Sequence, residues 1–186
     1  MSAFDYLSVL FSVILGLAVT EILQGFRALV LARQRVVPFV PALIWGGLMI
    51  LIVAQVWWGM FGMRSFREWN FAMYGAVVLQ STLMYLAAGV VLPEPPEHGP
   101  IDMRAVYFAN CRWFFGLMTA TIAATFVKDY VTIGHISSSW NAYFLELYFV
   151  LSLIATITKS RWYHWFLAPF SIVVIGTYTA LLSFRL

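Results

Sequence analysis

Glu21, Gln55, Gln80, Arg112 and Glu146 each fall well inside a long apolar stretch of this sequence. Such groups are costly in an apolar medium, so they are expected to be paired, hydrogen-bonded or part of an ion or proton route. Arg112 follows Asn110 within ten residues of Met103, where one such stretch begins, and it needs an acid. Glu21 lies six residues before Arg27, and Arg112 nine residues after Met103. At about 1.5 Å per helical residue, both sit about 9 to 14 Å from one boundary. Small or weakly polar residues recur every four positions beside each: Ser8, Ser12, Gly16, Thr20 and Gln24, then Arg112, Gly116, Ala120, Ala124 and Lys128. Faces of that kind let helix backbones approach closely. The expectation is that the first and fourth helices pack through these faces. Glu21 then pairs with Arg112, and Gln24 or Asn110 satisfies remaining donors. A static pair fixing helix register, a proton or ion route, and charges facing solvent or a partner remain open.

Glu146 is harder to place. On a helix, Asn141, Tyr148, Ser152 and Thr156 share a face, whereas Glu146 shares its face with Phe149, Val150 and Leu153. A carboxyl there must be covered by Gln55 or Gln80, by another subunit, or by its own proton. A mid-membrane polar site of Glu146, Gln55 and Gln80 is the candidate for ion or proton passage.

Other chemistries find little support. His98, His135 and His164 fall in loops or at a helix end, unsuited to a haem between helices. Cys111 stands without metal-ligand spacing, there is no paired-histidine zinc motif, and no nucleophile elbow or phosphate-cradling loop is present. No cofactor, metal or catalytic residue is expected, and an enzyme is the minor reading. The neighbours Lys128 and Asp129 read as boundary charges.

The elements that must carry these residues follow from composition. Of 186 residues, 62% are hydrophobic and 10% charged, which defines a membrane protein. The net charge of +3 is scattered, with no basic cluster for nucleic acid. A span needs about 20 apolar residues, and six segments meet that length, at about 4–30, 40–62, 70–92, 103–127, 139–158 and 163–184. The expectation is an all-α integral membrane bundle of six transmembrane helices with short loops, in a single domain over 1–186. The first run lacks a basic leader and a small-residue cleavage site, so it reads as a retained span. Pro38 and Pro41 mark entry to the second span, Asp102 caps the fourth, and Ser137 to Ser139 cap the fifth. Pro93 to Pro100 reads as a stiff extended strap.

Six lysines and arginines flank the odd-numbered loops against four on the other side, which places both termini outside the cytoplasm. Trp57, Trp58 and Trp69 gather near one face and Trp45, Trp162 and Trp165 near the other, as interfacial anchors. Offsetting the halves by 96 residues aligns little beyond chance, so no internal repeat is inferred. The residues from Phe4 to Leu10 with Gly16, and Asp102 to Arg104 with Arg112 to Phe115, resemble a recurrent type of small bacterial multi-spanning membrane protein with no known activity. The resemblance implies a bacterial inner membrane and adds no catalytic residue. The functional expectation is a small channel or transporter-like ion or proton pathway. The alternatives are a non-transporting scaffold or accessory subunit and a pocket for lipid, quinone or another apolar ligand. The expected partners are the lipid bilayer and a second copy or another membrane protein, with no nucleic acid.

Overall fold

A computed structural model of the chain describes residues 3–66, 69–94, 99–135 and 140–183. It contains six α-helices: α1 (Ala3–Leu31), α2 (Val40–Phe61), α3 (Phe71–Val91), α4 (Met103–Ile133), α5 (Trp140–Ile157) and α6 (Arg161–Ser183). The fold class is all-α. Phe4–Leu31, Val40–Ser65 and Phe71–Val91 are long and apolar enough to cross a membrane, and Ala142–Ile157 is a shorter apolar helix. α4 and α6 have the length, but α4 carries Arg104, Arg112, Lys128 and Asp129, and α6 carries Arg161, His164 and the internal Pro169.

The helix ends follow local chemistry. Pro41 sits in the first turn of α2, where its missing N–H costs nothing. The Asn70 side chain accepts the Met73 N–H at 2.9 Å to open α3, and Asp102 accepts those of Arg104 and Ala105 to open α4. α4 closes on Gly134, whose φ of 76° is the left-handed conformation that glycine adopts freely. The helix thus ends at Ile133, six residues beyond the expected end at 127, so Lys128 and Asp129 belong to the helix wall and not to a loop. The proposed caps Ser137 to Ser139 lie outside the described residues. So do residues 95–98 of the strap, which re-emerges as a two-residue strand, Ile101–Asp102, paired in parallel with Val36–Val37.

α3 packs between α1 and α4, and α4 packs in turn against α5, giving a row α1–α3–α4–α5. α2 and α6 pair with each other across this row, α2 touching α1, α3 and α4. The expected close packing of α1 on α4 is therefore replaced: α3 packs on both. Gly16, Thr20 and Gln24 of α1 are exposed, while Phe11, Leu15, Ala18 and Ile22 face the core. Matching depth constrains height but not rotation about the axis, and larger side chains offer more contact than a stripe of serine and glycine. The outer surface is apolar, with Val9, Val13, Leu17, Leu79, Trp113, Val150, Trp162 and Val173 exposed. Such a surface is consistent with membrane insertion.

Near the strand pair the helices approach closely. A Cβ on Gly46 would meet Phe26 Cζ at 2.9 Å and Leu92 Cδ2 at 3.0 Å, and one on Gly25 would meet Leu92 at 3.0 Å. Leu92 is thus wedged between α1 and α2, and glycine is what admits it.

Candidate functional site

Of the polar residues singled out by sequence, the structure brings Gln55 and Gln80 together and separates the rest. Gln55 on α2 donates its side-chain N–H to the Thr179 hydroxyl of α6. Gln80 on α3 donates to the Thr125 hydroxyl of α4 at 2.9 Å. Each threonine hydroxyl in turn donates to the carbonyl four residues back, Thr179 to Ile175 at 2.7 Å and Thr125 to Thr121 at 3.0 Å. With each hydroxyl turned toward its own helix in this way, the threonine oxygen faces the amide N–H as an acceptor.

Both glutamines line one cavity of about 360 Å³ at the end of the bundle where α2 and α4 finish and α3 begins. Thr125, Lys128, Asp129 and Thr132 of α4 form one wall, and Gly59, Gly62, Met63 and Phe66 the opposite rim. Leu145 of α5 and Tyr178 of α6 complete it. Lys128 Nζ lies 3.6 Å from Asp129 Oδ1, so the cavity wall carries a compensated pair of charges. Gln80 is 3% exposed, and among the described residues its carbonyl oxygen is buried without a hydrogen-bond partner. An unsatisfied buried acceptor costs about 1 to 3 kcal/mol, and such groups concentrate where a protein has a use for them.

Ile52, Gln55, Leu145 and Tyr178 also line a second chamber of about 100 Å³, continued inward by Met118, Ile122, Tyr148 and Val174. Apart from Gln55 and the two tyrosines, these lining side chains are apolar. One turn further in lie Met49, Phe115 and Ala168, all at most 1% exposed. Below them Trp45 packs edge-on against Phe114 and Phe115, with ring centroids 5.6 and 5.1 Å away. The cavity carries its polar groups at its outer part and is mostly apolar at its inner part.

The other candidates fall elsewhere. Glu146 is exposed on the outer face of α5 beside Leu147, Val150 and Leu153, and does not line the cavity. The polar stripe of α5 points inward as expected: Tyr148 donates to the Ser171 carbonyl at 3.4 Å and Ser152 accepts from Thr119 at 2.9 Å. The side chain of Asn141 lies outside the described residues. Glu21 is half-buried and accepts from the Tyr85 hydroxyl at 3.5 Å, whereas Arg112 is exposed on α4. Among the described residues the ion pair found is Lys128–Asp129, not Glu21–Arg112. Gln24 is exposed, and Asn110 lines a crevice of about 10 Å³, barely the space one water needs.

Two features escaped the sequence. The sequence reads Lys128 and Asp129 as boundary charges and marks no role for Tyr178, whereas α4 runs on past both charges to its Gly134 cap. His164 looked peripheral at a helix start but is fully buried. Its Nε2 donates to the Thr158 carbonyl at 3.0 Å, which leaves Nδ1 to accept from the Tyr107 hydroxyl at 2.9 Å. Trp45, expected as an interfacial anchor, is likewise core at 2% exposure, whereas Trp57, Trp58, Trp162 and Trp165 are exposed. A histidine flanked by Tyr163 and Trp165 in a Pro-containing helix carries no local cue for either partner. Comparisons with protein-family models, with curated proteins and with solved structures return no match.

Proposed function

We propose that the chain is a six-span membrane protein that holds a small ligand in the blind cavity at one end of its helical bundle. The observation that carries this reading is the convergence of Gln55 and Gln80, from different helices, on one cavity that continues into an apolar chamber. Ligand sites are concave and mostly apolar, with a few placed polar groups that fix orientation. A scaffold needs no such hollow, and a conducting pore needs a path that the layer of Met49, Phe115 and Ala168 interrupts. With Arg27, Arg33, Arg35, Arg104, Lys159 and Arg161 toward the cytoplasm, the cavity belongs to the opposite side, with both termini. A bacterial inner membrane suits the hydropathy and the charge bias.

Native mass spectrometry of the full chain released from nanodiscs tests this reading. One small adduct per chain is expected, absent from Gln55→Trp, whose indole occupies the junction of the two chambers. A bare wild-type mass, or an adduct that the tryptophan leaves in place, contradicts it.

A further inference from the structure

The ligand's chemical class follows from what the cavity leaves unsatisfied, and the inference rests on the binding reading above. The threonine relays use one N–H of each amide, and among the described residues the buried Gln80 carbonyl oxygen has no hydrogen-bond partner, while Gln55 hydrogen-bonds through its N–H and leaves its carbonyl on the cavity wall. Gln55 lines both chambers, as do Ile52, Leu145 and Tyr178, and of these four it alone carries a side-chain amide carbonyl. A hydroxyl can donate to its carbonyl, whereas an ether or ketone of equal size cannot.

Charge narrows the class further. Lys128 and Asp129 already offset each other at 3.6 Å. An ammonium entering the cavity meets Lys128, a carboxylate meets Asp129, and either loses hydration without an uncommitted counter-ion. A neutral head is the one the wall accepts. The inner chamber sets the size of the remainder: about 100 Å³ is less than the roughly 150 Å³ apolar cavity that holds benzene. A short alkyl group fits there and a long acyl chain does not. We propose that the cavity takes a small neutral alcohol, its hydroxyl on the Gln55 carbonyl and its apolar part in the chamber bounded by Met118, Ile122 and Tyr148.

Three photoreactive diazirine probes of butanol size test this on the full chain in nanodiscs: the alcohol, its methyl ether and the corresponding ammonium. Cross-links are mapped by peptide mass spectrometry. The alcohol is expected to label the inner chamber saturably, in competition with unlabelled butanol, and the ether and ammonium about tenfold less, the worth of one hydrogen bond. Ile122→Trp, which fills the chamber, should remove the labelling, and Gln55→Leu should bring alcohol and ether to the same level. Equal saturable labelling by all three probes in the wild-type chain overturns the alcohol assignment and leaves the pocket reading intact. Absence of saturable chamber labelling by any probe overturns both. Alcohol preference that survives Gln55→Leu overturns the assignment to that carbonyl.

Discussion

The two ends of the bundle are built from similar apolar helices and finish in opposite ways. At the strand-pair end, Leu92 is wedged against Gly25 and Gly46, Trp45 is enclosed by Phe114 and Phe115, and His164 has partners on both ring nitrogens. At the other end the same helices spread around about 360 Å³, and among the described residues the Gln80 carbonyl oxygen is left without a partner. Both ends contain buried polar groups. Satisfaction alone does not separate them, since among the described residues the Trp45 indole N–H at the packed end is also unmatched. The difference is space: the indole is enclosed by Phe114 and Phe115, whereas Gln80 lines a cavity that can admit a partner.

Substitutions at the two ends should therefore differ in kind. The largest effect is expected for Trp45→Ala, which removes an enclosed indole and should destabilise the chain by about 3 to 5 kcal/mol in unfolding from nanodiscs. Trp45→Phe should cost far less, since a phenyl ring keeps most of the contact with Phe114 and Phe115. Next, His164→Phe leaves the Thr158 carbonyl and the Tyr107 hydroxyl unmet and should cost about 1 to 3 kcal/mol. Gly46→Val should cost a similar amount by overpacking against Phe26 and Leu92, while Gly47→Val, with nothing within 4 Å, should be tolerated. At the cavity end, Gln80→Leu removes the unsatisfied oxygen together with one donor and should stay within about 1 kcal/mol of wild type. A loss there as large as that of Trp45→Ala would erase the distinction between the ends. The smallest effect belongs to Glu146→Gln. This exposed position should shift stability by less than about 0.5 kcal/mol and leave ligand retention unchanged. A loss of retention would return Glu146 to the site.

The sequence conveyed the helices well because their signals are local. Apolar length marks the helices, Asp102 caps α4 as expected, and Pro41 opens α2. It also marked Gln55 and Gln80 as residues in need of company. What it could not convey was azimuth: Glu21 and Arg112 agree in depth, yet α3 packs against both of their helices. Nor could it place Glu146, whose periodicity put it off the polar stripe without saying which helices that stripe would meet. His164 and Thr179 acquire their roles through Tyr107 and Gln55, which lie 57 and 124 positions away in the chain. Pairings at that separation depend on how helices associate, and single-helix patterns do not contain them.

The central claim is a cavity that is reached from one side of the membrane and ends blind. Cysteines placed singly along α2, in a Cys111→Ala background, probe it when a membrane-impermeant thiol reagent is applied to each side of sealed vesicles in turn. Gly59→Cys at the rim and Gln55→Cys at the floor should react from the same single side, and Met49→Cys one turn and a half further in should react from neither. Reaction at Met49→Cys, or reaction of Gln55→Cys from both sides, would show a continuous path through the bundle and contradict the account.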